Sequence, residues 1–273
     1  MCELTRQEID FLTAMVNGIC THYDEWLEKE YRWPQNRRDA KDEQSTVLIF
    51  NEHSRHLRKG YIEESIFDIF YWGGGNRAIA NVEEREDFSI AIKSLNLLKN
   101  EQLSLGTVLR MGNNGSVSRI AFWSKVLAAY KPGKYFIYDS RVAIALSFIS
   151  LKLENTPCYW IIPSDPGYTT RNKSFVGFEN KSIEVAIQDN QEKHRINVGT
   201  DPNSCYHLYL ELLRRLAERE EIQKKYNSLP NEIKEAYKKM FSFINDRNEQ
   251  DRKSIMAHLE KMLFMMKEDI LVK

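Results

Sequence analysis

The sequence predicts a mainly all-α protein, and two kinds of pattern lead to this fold class. Apolar residues recur at helical spacing over most of the chain, beginning with Phe11, Leu12, Met15, Val16 and Ile19. Helix-capping signals precede such runs, as in Thr5-Arg6-Gln7-Glu8, where a hydroxyl is followed three residues later by an acid. A chain of 273 residues is long enough to bury a sizeable core in one or two domains.

Composition and charge exclude several classes of protein. Lysine plus arginine and aspartate plus glutamate number 39 each, which argues against a purely electrostatic DNA binder but leaves room for a local basic patch. The longest apolar run, 142–151, is too short to span a membrane, and the first residues lack the pattern of a signal peptide. We therefore expect a cytoplasmic protein, associated with the nucleoid if it is bacterial, that contacts no membrane.

The cysteine and histidine pattern gives no sign of a bound metal. The four cysteines are scattered without a CxxC pair, which favours reduced thiols and excludes a zinc ribbon or a cysteine-bound iron–sulfur cluster. His53 and His56 are spaced like metal ligands, but such a spacing is a weak signal by itself. We expect neither a metal nor a cofactor.

The apolar spacing and the helix-breaking residues predict the order of the elements. The first helix should run to about residue 31, where Trp33-Pro34 ends it, and Ser45 should cap a second helix, 46–57. A third helix, 61–72, should stop at Gly73-Gly74-Gly75. Further helices are predicted at 83–98, 104–111 and 119–130, from 140, from 204, and at 231–244 and 250–270.

The stretch 155–203 has a different character. Four of the seven prolines lie in it, together with short β-prone runs such as SIEVAI, so we interpret it as an irregular insertion with room for a small hairpin. The predicted division of the chain is N-terminal helices at 1–60, a central core at 61–154, this insertion at 155–203, and C-terminal helices at 204–273.

The stretch from Gly112 to Ile149 concentrates the features that favour a function. Its first part is a Gly/Asn/Ser-rich hairpin that opens a helix, and such a hairpin presents backbone N–H groups to phosphates. Residues 103–141 hold six lysines and arginines and one acid, a net charge of +5. Asp139 stands before a helix that is apolar on every side. The alternatives are a charged solvated helix face and, for Asp139, a plain N-cap worth about 1 kcal/mol.

The residues from Gly115 to Val142 resemble the helix–hairpin–helix of the base-excision DNA glycosylase superfamily, particularly the 8-oxoguanine DNA glycosylases. That family has a Gly-rich hairpin, a helix, a Lys-Pro turn and then an aspartate followed closely by valine. Here Lys131-Pro132 is followed by Asp139 and Val142 at nearly the family's separation. The resemblance implies a two-lobed helical glycosylase fold and hairpin contacts to DNA from Gly112, Asn114, Gly115, Ser116, Ser118, Arg119, Lys125 and Arg141.

Two further segments match the same family in chain order. The run GGGNRAI lies where the family has a loop that fills the gap left by a flipped base, which implies that Asn76 is the wedge. The last helix resembles the one that supplies an aromatic for the extruded base. The resemblance therefore implies a base pocket formed by Phe264 with one or more of Tyr71, Trp72 and Trp123. The alternatives are a flexible glycine turn and aromatic side chains that belong to the core.

The family's Schiff-base lysine falls on Arg119, and arginine is not an amine nucleophile. Lys125 is six residues further, roughly 120° around the helix, which makes it a poor substitute for that lysine. The resemblance therefore implies a monofunctional glycosylase, a monomer that acts on double-stranded DNA containing a damaged or modified base. Asp139 would hydrolyse the N-glycosidic bond and leave an abasic site.

Two other functions remain open from the sequence. One is a bifunctional glycosylase and AP lyase that uses Lys125. The other is a non-catalytic DNA-binding or antiphage interaction protein on the same scaffold. The sequence does not identify the base, and it does not separate DNA repair from phage defence.

Overall fold

The computed structural model describes residues 4–27, 42–74, 120–162, 173–196 and 202–272. Within these residues the chain forms eleven helices and one antiparallel pair of two-residue strands. The helices of the first half are α1 (Arg6–Thr21), α2 (Tyr23–Trp26), α3 (Glu43–Arg58), α4 (Ile62–Gly74), α5 (Ile120–Tyr130) and α6 (Ser140–Lys152). Those of the second half are α7 (Ile183–Lys193), α8 (Pro202–Ala217), α9 (Glu220–Asn227), α10 (Asn231–Met240) and α11 (Arg247–Ile270). The strands are β1 (Ser174–Phe175) and β2 (Leu271–Val272).

The predicted all-α class is confirmed, since the described chain is mostly helical, whereas the two-lobed glycosylase fold stays a prediction. None of the described helices has the length and apolar character that crossing a bilayer requires. The two-stranded sheet joins β1, from the predicted insertion, to β2 at the end of the chain.

Helix α6 lies at the centre of the core. Its residues from Val142 to Ser150 are all buried, as its apolar residues on every side predict. It packs most extensively against α11, and α1 and α7 also contact it. Because α6 is enclosed in this way, the residue at its N-terminus, Asp139, has a fixed position in the molecule.

Several predicted helix ends are wrong. The first helix ends at Thr21, because His22 leaves the helical conformation with φ −109° and ψ 21° before α2 begins. The cap of α3 is Asp42, whose carboxylate accepts from Ser45 N at 2.7 Å, and Ser45 is the third helical residue. Helix α4 continues through Gly73 to Gly74, since glycine weakens a helix without preventing one.

The insertion is less irregular than the sequence predicts. The β-prone run from residue 182 forms helix α7, which Ser182 caps by accepting from Val185 N at 3.3 Å. Burial of Ile183 and Ala186 accompanies the contact of α7 with α6, so tertiary packing outweighs the β-propensity of the run. As far as the insertion is described, at 155–162 and 173–196, its strand pairs with β2 and forms no local hairpin.

A buried polar cluster fixes the N-terminus of α3 against α10 and α11. Glu43 accepts hydrogen bonds from Tyr237 Oη and from His258 Nδ1, the latter at 2.8 Å. Tyr23 Oη lies 3.4 Å from the other ring nitrogen of His258. Burial raises the pKa of Glu43, but these hydrogen bonds, with the charges of His258 and Lys261, hold it below its ordinary value. Glu43 is therefore an ionised carboxylate in the core.

Replacing Glu43 with glutamine should destabilise the protein by about 2 kcal/mol near neutral pH, because hydrogen bonds to a charged acceptor are lost. A folded pKa below the unfolded one gives stability that is present at neutral pH and lost as the pH falls through the folded pKa. The difference between Glu43→Gln and wild type should therefore shrink in acid. Urea unfolding across this range measures it, with the exposed Glu52→Gln on the same helix as control. A difference that stays constant with pH contradicts the assignment.

Candidate functional site

Asp139 caps helix α6 and is largely enclosed. Its Oδ1 accepts from Arg141 N at 2.9 Å and from Val142 N at 3.4 Å. The residue is 8% exposed. The capping role expected from the sequence is confirmed, and it uses only one of the two carboxylate oxygens.

The second oxygen of Asp139 faces Lys125 of α5. Lys125 Nζ lies 3.3 Å from Oδ2, and the two side chains are 12% and 11% exposed. The neighbouring Ser124 explains the alignment, since its hydroxyl accepts from Tyr138 N at 2.9 Å and donates to Tyr138 O at 3.2 Å. These bonds hold α5 beside the residue that precedes Asp139. Lys125 therefore lies in the candidate site beside Asp139. From the sequence, its angle around the helix from Arg119 had made it only a poor substitute for the family's lysine.

The ion pair keeps the acid charged within the protein interior. Burial raises the pKa of Asp139, but Lys125, Arg141 and the two backbone N–H groups outweigh burial and hold that pKa below its ordinary value. For Lys125 burial is the largest influence and lowers the pKa, while Asp139 acts in the opposite direction. The result is an ionised carboxylate beside an amine that gives up its proton more easily than an exposed lysine does.

Arg141 and Phe264 form a second pair next to the acid. The guanidinium carbon of Arg141 lies 4.2 Å from the ring centroid of Phe264, on α11. Such stacking of a cation on an aromatic ring is favourable by about 0.5–2 kcal/mol. Phe264 is 8% exposed. Thus Asp139, Lys125, Arg141 and Phe264, which the sequence analysis selected from three segments, are brought together in one region.

Other predicted site residues lie outside the described part of the chain. This applies to the wedge Asn76 and to the hairpin residues Gly112, Asn114, Gly115, Ser116, Ser118 and Arg119. Tyr71 and Trp72 lie in α4 and Trp123 lies in α5, but their side chains are also outside it. The wedge, hairpin and aromatic assignments for these residues stay predictions.

The sequence analysis missed four residues that hold the chain before Asp139. These are Ser124, Tyr206, Tyr209 and Glu260, which bond the backbone of residues 136–138. Only Glu260 carries a signal in the sequence, because it is a charge among the apolar residues of the inward face of α11. The described residues contain no cluster of three or more His, Cys, Asp or Glu side chains that could hold a metal ion.

Comparison with protein-family models, with curated protein sequences and with solved structures found no match to this chain. The arrangement of Asp139 and its neighbours therefore carries the functional argument.

A double-mutant cycle should show that Lys125 and Asp139 act as a pair. Lys125→Met leaves a buried carboxylate with fewer partners, and Asp139→Asn leaves a buried ammonium, so each should destabilise by about 3 kcal/mol. The double variant should lose less than the sum, with a coupling of about 1–3 kcal/mol. Urea unfolding of the four proteins measures the coupling. If the losses in free energy of unfolding are strictly additive, the two residues do not act as a pair. The exposed ion pair of Lys224 with Glu220 is the control and should show little coupling.

Proposed function

We propose that the protein is a DNA N-glycosylase whose catalytic acid is Asp139. The observation that carries the proposal is the buried, ionised Asp139 at a helix N-terminus, with Lys125 at 3.3 Å and the Arg141–Phe264 pair beside it. A negative charge held in a site of low exposure is suited to stabilising a cation that forms during a reaction. The resemblance to the helix–hairpin–helix glycosylases supplies the substrate class, double-stranded DNA.

The proposed reaction breaks the bond between C1′ of the sugar and the nitrogen of the base. The bonding electrons leave with the base, and positive charge develops on the sugar. The carboxylate of Asp139 stabilises that charge and orients a water molecule, whose oxygen then bonds to C1′. The water gives up a proton, for which the carboxylate is an acceptor, and the departing base gains a proton at its nitrogen, so that one water is added across the bond. The products are the free base and an abasic site.

The neighbours of Asp139 take defined roles in this proposal. Oδ1 is engaged by the helix cap and Oδ2 by Lys125 Nζ, so the sugar would share Oδ2 with Lys125. Extruding a nucleotide costs a few kcal/mol, which stacking on Phe264 and insertion of Asn76 would offset. Because Arg141 lies on the Phe264 ring, an incoming base must share the ring with the guanidinium or displace it. Arg141 is also suited to contact a phosphate of the flipped nucleotide.

Asp139→Asn should lower base release by at least about 100-fold while DNA affinity changes little, because asparagine retains the shape but not the charge. The assay is mass spectrometry of free bases released in single turnover from damaged DNA and from phage DNA containing modified bases. Asp246→Asn is the matched control, since Asp246 caps α11 in the same way and is exposed. Release of no base by the wild-type protein from any substrate would overturn the function. Unchanged base release by Asp139→Asn would exclude Asp139 as the catalytic acid. DNA binding or antiphage activity without base release, left intact by Asp139→Asn, would instead favour a non-catalytic role.

A bifunctional glycosylase and lyase is the second candidate, and the position of Lys125 favours it. Its Nζ lies within the site, and burial lowers its pKa, so a neutral amine forms more readily than on an exposed lysine. The amine would bond to C1′ as the base leaves, and loss of its protons and opening of the sugar ring would give an imine. Removal of a proton from C2′ would then expel the 3′ phosphate oxygen and cleave the strand.

Borohydride reduction separates the two candidates, because it converts the imine to a stable amine. A lyase should give a covalent protein–DNA adduct that Lys125→Ala abolishes. The partly buried Lys253→Ala on α11 is the control and should retain the adduct. A monofunctional enzyme should give free base and no adduct. An adduct that survives Lys125→Ala excludes Lys125 as the nucleophile.

A further inference from the structure

The three residues before Asp139 are held entirely by side chains. Residues 136–138 belong to no helix, and they belong to neither strand of the described sheet. Tyr206 Oη bonds both backbone groups of Phe136, at 3.2 Å to N and 2.7 Å to O. The Ser124 hydroxyl bonds both groups of Tyr138. Together with the two bonds to Ile137 described next, all six backbone N–H and C=O groups of the segment have a hydrogen-bond partner.

Ile137 is held from two different helices. Its C=O accepts from Tyr209 Oη of α8 at 3.0 Å, and its N–H donates to Glu260 Oε2 of α11 at 2.6 Å. Glu260 is the only one of the four anchoring side chains that carries a charge. A bond from a backbone N–H to a carboxylate is roughly twice as strong as one to a neutral acceptor. The position of Ile137, two residues before Asp139, is thus fixed by α8 and α11, and the bond to a charged group comes from α11.

The charge of Glu260 is buried and is paired with a cation of the same helix. Glu260 is 4% exposed, and its Oε1 accepts from Lys261 Nζ. Glu260 also raises the pKa of Lys125, by less than Asp139 does. Among the described residues, the charges of Asp139, of Arg141 from α6 and of Glu260 from α11 act on Lys125. A neutral hydroxyl in place of Glu260 could bond Ile137 but could not act on Lys125.

We propose that Glu260 is a positioning residue for Asp139. Its carboxylate fixes the chain that presents the acid, through its bond to Ile137 N, and its charge also acts on Lys125. This inference rests on the proposed glycosylase function for its effect on catalysis, but not for its effect on Lys125. It also gives α11 two connections to the site, through Glu260 and through Phe264.

Glu260→Gln tests the proposal, because glutamine keeps an acceptor for Ile137 and removes the charge. Base release in single turnover should fall by about tenfold, since small displacements of a catalytic group are costly, while DNA affinity stays within about twofold. The limb of the pH–rate profile that Lys125 sets should move to lower pH, because a negative neighbour is lost. Glu249→Gln, on the same helix and half-buried, is the matched control and should alter neither.

A second variant guards against a folding defect. Glu260→Gln leaves Lys261 buried without its carboxylate, whereas Glu260→Gln/Lys261→Met removes both charges and should fold more readily. Either folded variant should show the slower rate and the shifted limb. Glu260→Asp retains the charge and should restore the pH profile although its shorter side chain reduces the rate. If Glu260 only stabilised the fold, its replacement would lower the melting temperature and leave the pH–rate profile unchanged.

An NMR titration keeps this inference separate from the proposed function. Lysine labelled with ¹³C at Cε reports the protonation of Lys125 without any substrate, and Lys125→Met identifies its signal. The pKa of Lys125 should fall in Glu260→Gln and should not change in Glu249→Gln. If the wild-type protein releases no base, the glycosylase function fails and this titration alone decides the effect of Glu260 on Lys125. A folded Glu260→Gln with the wild-type pKa of Lys125 and the wild-type rate overturns the positioning role.

Discussion

Helix α11 carries His258, Glu260 and Lys261 into the interior, and two distant parts of the chain depend on them. One is the N-terminus of α3, where Glu43 meets His258. The other is the segment before Asp139, whose central N–H group is bonded by Glu260. An apolar α11 would leave a buried carboxylate and a buried donor without these partners, at about 1–3 kcal/mol or more for each. The position of α11 is therefore set by polar contacts as well as by its packing on α6.

The same contacts explain how an irregular segment can present an acid with defined geometry. A segment without a neighbouring strand normally lies at the surface, where water satisfies its backbone. Residues 136–138 are buried, and hydroxyls and one carboxylate replace the missing strand. Asp139 then receives two independent constraints, the helix cap on Oδ1 and Lys125 on Oδ2. The helix cap and the ion pair both favour the ionised form of Asp139, which is also the form that the proposed function requires.

The parts of the structure that depend on local signals were predictable from the sequence. The buried course of α6 follows from its composition, and the cap at Asp139 follows from the residue type before an apolar helix. Helix α7 was missed because its sequence favours a strand and its burial depends on contact with α6. The bond of Glu260 to Ile137 joins residues 123 apart in the chain, and no local pattern encodes such a contact. For the same reason the angle of Lys125 on its own helix did not reveal its distance to Asp139.

On the proposed function, the balance of charge around Lys125 decides which chemistry follows base release. A protonated Lys125 is a partner for Asp139, and a neutral Lys125 is a nucleophile, so it cannot serve as both in one step. Burial favours the neutral form, whereas Asp139 and Glu260 favour the charged one. As positive charge develops at C1′, the carboxylate of Asp139 is shared with the sugar and holds the proton of Lys125 less firmly. Hydrolysis and amine attack are then alternatives at one site, and Asp139 favours the protonated Lys125 of hydrolysis more strongly than Glu260 does.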